Sequence, residues 1–145
     1  MRSLSIRRPG FTLVELLIVI IVIAVLAAIA IPKFVNSSAR SKEASLHADL
    51  KLVRDSIELF HNDTGGYPAA LTDLAVIVAP ANGKDSTGAA YPIVPANWKG
   101  PYLATVPNDP VSVVALTYSV TSPTVGQVNS SASGNDSAGI AFSTY

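Results

Sequence analysis

The 145-residue sequence contains no cysteine. No disulfide can therefore staple the fold, and no thiolate can serve as nucleophile or metal ligand. An exported domain without disulfides must rest on its core, on a metal or on assembly with neighbours. Histidine is nearly as scarce, with only His47 and His61. Fourteen positions apart on one helix, they would share a face but sit about 21 Å apart, too far to hold one metal. Neither a Gly-x-Ser-x-Gly elbow nor a phosphate-cradling glycine loop is present, so an enzyme is not expected. Charge is sparse as well. Charged residues make up 14% of the chain, ten basic against ten acidic. Arg2, Arg7 and Arg8 fall within the first ten positions, which hold no acid, so the remainder carries seven basic and ten acidic side chains. A basic footprint for nucleic acid is missing. No internal repeat is visible.

What the chain does have is apolar length. Hydrophobic residues account for 49% and the mean hydropathy is +0.40, with the excess concentrated in the first third. Phe11–Ile31 is an apolar run of 21 residues. As a helix it spans roughly 31 Å, one bilayer core. The preceding arginines place the short N-terminus in the cytoplasm and the remainder outside. Glu15 is the only ionisable side chain in the run. A carboxylate at membrane depth costs on the order of 2.5–3.5 kcal/mol on the lenient insertion scales and marks function by default.

Three readings compete for this segment. A secretory signal peptide would use Ala28–Ala30 as an Ala-x-Ala cleavage site, but the run is long and Glu15 sits near its start. A plain uncleaved anchor accounts for the length and gives Glu15 no purpose. The third reading rests on "GFTLVELLIVIIVIAVLAAIAIPKF", which begins at Gly10 and resembles the class III signal of type IV pilins and of type II secretion pseudopilins. The resemblance implies cleavage between Gly10 and Phe11 by a prepilin peptidase, N-methylation of Phe11, and retention of the apolar helix. Phe11, Thr12, Glu15 and Pro32 would be the assembly residues. A new amine at Phe11 would lie one turn from Glu15, and in a filament that carboxylate can meet the amine of an adjacent subunit. A paired charge escapes much of the burial penalty and fixes register. In the unassembled subunit, Glu15 can instead snorkel to the cytoplasmic interface. Pro32 removes a backbone donor, yet helical signals resume after it, which reads as a flexible point rather than a stop.

Beyond Pro32 the helix should continue to about Asn62. Leu46, Leu50, Val53, Ile57 and Phe60 recur at 4-3-4-3 spacing and form one apolar stripe. Lys51–Asp55 and Arg54–Glu58 are spaced as outer-face ion pairs. "NDTGGYP" (62–68) then stops the helix. Residues 71–79 read as a short second helix, with a buried strand as the alternative, and "PANGKDSTGAAYPIVPAN" (80–97) reads as a loop. Strands are expected at 102–106, 113–120 and 138–145, with Leu116, Tyr118 and Val120 facing inward. The Ser/Gly/Asn-rich 122–137 stretch reads as a surface loop. Asp109 in "PNDP" suggests an Asx turn, and Trp98 a packing residue.

The expected fold is α+β. A helical spine, its N-terminal half transmembrane, packs on a small C-terminal antiparallel β-sheet domain; the resemblance makes this arrangement pilin-like. Its parts are a leader (1–10), a transmembrane and assembly half (11–32), an amphipathic half (33–62) and a head (63–145).

"DTGGYP" and "WKGPYLATVPNDP" (98–110) are further similar to the major, G-type pseudopilin of type II secretion. That family continues with Trp-Gly and a Tyr where this chain has "VSVVALTY". Its acidic C-terminal loop binds calcium, whereas "SASGNDSAG" here offers Asp136 as the sole acid, with Asn129 and Asn135 nearby. A solvated turn is the plainer reading, and no cofactor is expected, with calcium at Asp136 as the alternative. Type IV pilins often carry a C-terminal cysteine pair, so its absence leans toward a pseudopilin. The resemblance implies an inner-membrane protein stored as a single-pass subunit. Its partners would be prepilin peptidase, copies of itself, minor pilin-like subunits, the inner-membrane assembly platform and lipid. A surface type IV pilus subunit and a membrane-anchored periplasmic binding module are the alternatives.

Overall fold

A computed structural model describes residues 10–145. The leader arginines lie outside the described residues. The chain divides into two units, Met1–Ser38 and Ala39–Tyr145.

One helix dominates the order of elements. α1 runs from Leu13 to Thr64, 52 residues, and continues through Pro32. In the first unit its large apolar side chains are bare among the described residues: Leu13, Ile18, Leu26 and Ile31 are all more than half exposed. It is the one described helix long and apolar enough to cross a membrane, with a mean hydropathy of 3.3 over 18 residues.

In the second unit the same helix becomes amphipathic, and its stripe is the core. Leu46, Leu50, Val53, Ile57 and Phe60 are each no more than 1% exposed. They pack with Leu71, Leu74, Ile93, Leu103, Leu116, Val128 and Phe142 of the head. Complete burial of each such side chain contributes about 1.5–3 kcal/mol. The seam expected from the 4-3-4-3 spacing is therefore the contact between spine and head. Lys51 and Asp55 pair at 3.4 Å, both exposed. Arg54 departs from its expected pairing with Glu58: its guanidinium turns to the head and donates to the Val128 carbonyl at 2.8 Å.

α1 ends at Thr64, two residues past the expected Asn62. The buried Thr64 hydroxyl donates to the Phe60 carbonyl at 2.8 Å, and the Gly65 N–H reaches the His61 carbonyl at 2.8 Å. Gly65 holds φ +79°, the left-handed cap that only glycine takes without strain. At Gly66 the demand is space, since a Cβ there would come within 2.6 Å of the Tyr91 ring.

The head is built from very short strands. β1 (Asn82–Lys84) and β2 (Ala90–Pro92) pair antiparallel with Gly83 opposite Tyr91, and β3 (Thr117–Tyr118) and β4 (Val128–Asn129) pair antiparallel with Tyr118 opposite Val128. The two sheets have two strands each. Tyr67 adds a bridge to Lys84, with both N–H···O distances 2.7 Å.

Several expectations fail here for definable reasons. Residues 71–79 form only a 3-10 turn, Leu71–Leu74. The Leu74 carbonyl accepts the N–H groups of Tyr102 and Leu103, at 2.8 and 2.9 Å, so it is taken by another segment instead of by a continuing helix. Those same bonds account for 102–106, which is tied to Leu74 and carries no strand. The 80–97 stretch is not a plain loop but contains the β1–β2 hairpin. Its turn is held by Asp85, whose Oδ1 accepts from Thr87 and Ala89. Of 113–120 only Thr117–Tyr118 is strand, and Val113 and Val114 are exposed in the turn after Asp109. The partner strand β4 lies inside the expected 122–137 loop. Residues 138–145 end in a 3-10 turn, Phe142–Thr144, that buries Phe142.

Candidate functional site

Gly10 and Phe11 precede the helix, and both are exposed. Among the described residues, nothing lies within 4 Å of a Cβ built on Gly10.

Thr12 and Glu15 are brought together more closely than charge reasoning anticipates. Thr12 is the residue before the first helical turn and Glu15 the third residue within it. The Thr12 N–H and hydroxyl each donate to Glu15 Oε2 at 2.8 Å, and the Glu15 N–H donates to Thr12 Oγ1 at 3.2 Å. This is a capping box, which satisfies helix-end donors reciprocally. A carboxylate in the first turn also faces the positive end of the helix dipole. The signal for it was present in the sequence as Thr-x-x-Glu ahead of an apolar run. Pro32 lies within α1, about five turns further along and on the exposed apolar half.

At the other end of the chain, Asp136 sits in a tight turn. Its Oδ1 accepts the N–H groups of Ala138 and Ile140, each at 2.8 Å, and its Oδ2 accepts the Tyr145 hydroxyl. The Tyr145 hydroxyl and these amides hold the Asp136 carboxyl below its ordinary range, and the same contact pushes Tyr145 up to about 12. Beside it, Glu43 of α1 receives both the N–H and the hydroxyl of Ser137, at 2.9 and 2.6 Å. Asn129, with its amide nitrogen turned inward, donates to the carbonyls of Tyr145 and Val128 at 2.9 Å each.

Asp109 carries more than an Asx turn. It is fully buried and accepts from the N–H groups of Val111 and Ser112, from the Ser130 hydroxyl, and from the N–H groups of Ser131 and Ala132. Burial raises its pKa, but these donors outweigh burial and leave the carboxyl below the ordinary value. One side chain thus joins the 109–112 turn to the segment after β4.

The two histidines serve packing. His47 meets the Tyr145 ring edge-on at 4.4 Å, and His61 stacks on Tyr67 at 4.3 Å. Trp98 packs edge-on against Tyr102 at 6.2 Å. Tyr102 in turn donates to Asp63 at 2.9 Å, which also pairs with Lys99 at 3.3 Å. Among the described residues, no three His, Cys, Asp or Glu side chains converge as a metal site. An open, mostly apolar cavity of about 610 Å³ lies between the 69–72 segment and Val106, Leu116, Tyr118 and Val120.

Comparison with known proteins matches two stretches of the chain. Residues 7–31 match the prokaryotic N-terminal methylation motif, and residues 33–139 match the family of type II secretion system (T2SS), protein G. Type II secretion system core protein G of Pseudomonas aeruginosa is 27% identical over 105 residues, covering 72% of this chain and 68% of the relative. The type IV major pilin protein PilA of Myxococcus xanthus is 43% identical over 61 residues, 42% of this chain and 28% of that protein. The type IV wide pilus major component PilA4 of Thermus thermophilus is 40% identical over 76 residues, 50% of this chain and 58% of that protein. No solved structure shows significant similarity. With the methylation motif running into the apolar half of α1 and the match over residues 33–139 covering the rest of that helix and most of the head, this chain belongs to the protein G family of type II secretion systems.

Proposed function

We propose that this protein is the major structural subunit of a type II secretion pseudopilus. Prepilin peptidase cuts after Gly10 and methylates the amine of Phe11. The mature chain waits in the inner membrane, N-terminus inside and head outside, then joins copies of itself, minor pilin-like subunits and the assembly platform. The observation that carries this reading is the apolar half of α1 behind Gly10 and Phe11, whose large side chains from Leu13 to Ile31 are exposed. So much bare apolar surface, about 20 residues long, is stable only in lipid or among like helices.

Glu15 would serve both states. In the membrane its carboxylate completes the cap with Thr12. In the filament the charge meets the Phe11 amine of a neighbour, where pairing offsets burial. The chain itself acts as scaffold and carries no catalysis of its own.

A second reading, a type IV pilus subunit, is favoured by the higher identity to the pilins of Myxococcus and Thermus over shorter stretches of the chain. The weight of the match to protein G, which extends through the head, supports the pseudopilus instead.

The test is intact mass and N-terminal sequencing of the membrane-extracted protein, co-expressed with a prepilin peptidase. A chain beginning at N-methylated Phe11 is expected. One beginning at Ile31, or retaining Arg7 and Arg8, refutes the filament reading. Deletion of the gene should then abolish protein secretion and leave surface pili unchanged; the reverse pattern selects the pilus.

A further inference from the structure

The C-terminal loop, where the resemblance to protein G would place calcium, can be tested against what calcium requires. Calcium takes six to eight oxygen ligands and favours several carboxylates turned toward one point. In this head the acids are already spent on the chain's own donors. Asp136 receives the N–H groups of Ala138 and Ile140 on one oxygen and the Tyr145 hydroxyl on the other. An ionised carboxylate has about four acceptor positions, so three are filled. The nearby Glu43 uses both of its oxygens on Ser137. N–H and O–H groups, not free oxygens, thus surround the two carboxylates, and a cation entering would meet their positive ends. The backbone of the turn is closed too: the Asp136 N–H reaches the Ile140 carbonyl at 2.8 Å, and the Gly139 N–H reaches the Asp136 carbonyl at 3.1 Å. The set does not fit calcium.

The same bonds supply what a bound cation would otherwise give. Glu43 and His47 lie one turn apart on α1, and each receives a residue from the C-terminal segment: Ser137 bonds Glu43, and the Tyr145 ring packs on His47. Asp136 links those two contacts by holding Tyr145. We propose that residues 134–145 form a cation-independent clasp, in which Asp136–Tyr145 and Glu43–Ser137 close the head onto α1 and leave no calcium site.

The experiment uses the full chain in detergent and reads the head alone, so it does not depend on filament assembly. Thermal unfolding is followed by near-ultraviolet circular dichroism in excess EGTA and in millimolar calcium, with terbium luminescence as a direct probe of binding. The expected result is one Tm in both conditions and no saturable terbium signal. A Tm raised by calcium and restored by EGTA, or a terbium signal abolished by Asp136→Asn, overturns the proposal. The clasp is tested separately with Tyr145→Phe, which keeps the ring, and Glu43→Ala. Each should lower Tm by about 3–8 °C, the range for losing such bonds in a domain of this size. Wild-type Tm values in both variants would overturn it as well.

Discussion

Glu15 Oε2 accepts two hydrogen bonds from Thr12, one from the backbone N–H and one from the hydroxyl, each 2.8 Å long. The carboxylate that looks anomalous in an apolar run is thus part of the helix's own N-terminal cap. This changes what a Glu15 variant reports, because a substitution can remove the cap, the charge or both.

Glu15→Gln keeps an acceptor oxygen for the Thr12 N–H and removes the charge. Glu15→Ala removes both, and Thr12→Ala removes the hydroxyl while keeping the charge. An N-cap loss costs about 1 kcal/mol of helix stability. If Glu15 acts in assembly through its charge, Glu15→Gln and Glu15→Ala both abolish filaments while Thr12→Ala only lowers their yield. Counting filaments by electron microscopy in the three variants, at equal membrane levels, decides it. Filaments from Glu15→Gln at wild-type yield would leave capping as the whole role.

The stripe on α1 predicts a sharp contrast between neighbouring leucines. Leu50 is 1% exposed and Leu52 is 51% exposed. Leu50→Ala should destabilise the head by about 2–5 kcal/mol, while Leu52→Ala should stay within about 0.5 kcal/mol of wild type. Chemical denaturation of the two variants in detergent measures both. Equal losses would mean that the seam is misplaced.

These two cases also mark what could be read from the residues. The stripe of Leu46, Leu50, Val53, Ile57 and Phe60 repeats over four turns, and a long repeat survives local noise. It located the core and the spine–head seam. The head offers no such length. A strand of two or three residues, such as Thr117–Tyr118 or Asn82–Lys84, has too few positions for alternation to show, and its pairing is decided by distant partners. Leu74 makes the point differently: its carbonyl is claimed by Tyr102 and Leu103, nearly thirty residues on, and the helix suggested by "LTDLAVIVA" cannot form past it. Asp109 looked like a turn residue because its local donors, Val111 and Ser112, are adjacent. Its other donors, at 130–132, come together with it only in the fold. Thr12 and Glu15 are the opposite case, a local signature in plain view beside a more conspicuous charge.

Val113 holds φ +63° with its side chain 73% exposed. A left-handed conformation costs a β-branched residue about 1–2 kcal/mol, and this side chain gains little from burial in return. Val113→Asn, which tolerates that conformation, should stabilise the head by about 0.5–1 kcal/mol. A raised denaturation midpoint at unchanged m-value is the expected reading. A lowered midpoint would show that the valine contributes a contact that outweighs its backbone.

Asp109 should set the acid limit of the head. Its carboxyl is buried, yet hydrogen bonds from Ser130, Val111, Ser112 and Ser131 hold its pKa below the ordinary value of 3.8. A group with a depressed folded-state pKa stabilises the native state fully at pH above its unfolded value, and that contribution disappears as pH falls through the folded value. Unfolding free energy should therefore be level near neutrality, fall below about pH 4 as the unfolded carboxyl takes its proton, and level off once the folded carboxyl is protonated too. Asp109→Asn removes the titration and sets an amide among N–H donors, which strands part of the network. It should cost about 2–4 kcal/mol at neutral pH, because each buried donor left unpaired loses about 1–3 kcal/mol. It should also flatten the acid limb, leaving the gentler slope due to other acids such as Asp85 and Asp136, whose carboxyls are likewise held low by their donors. Urea denaturation of wild type and variant across the acid range separates the two effects. Parallel curves offset by a constant would mean that Asp109 holds the 109–112 turn to the 130–132 segment by geometry alone and contributes nothing through its charge.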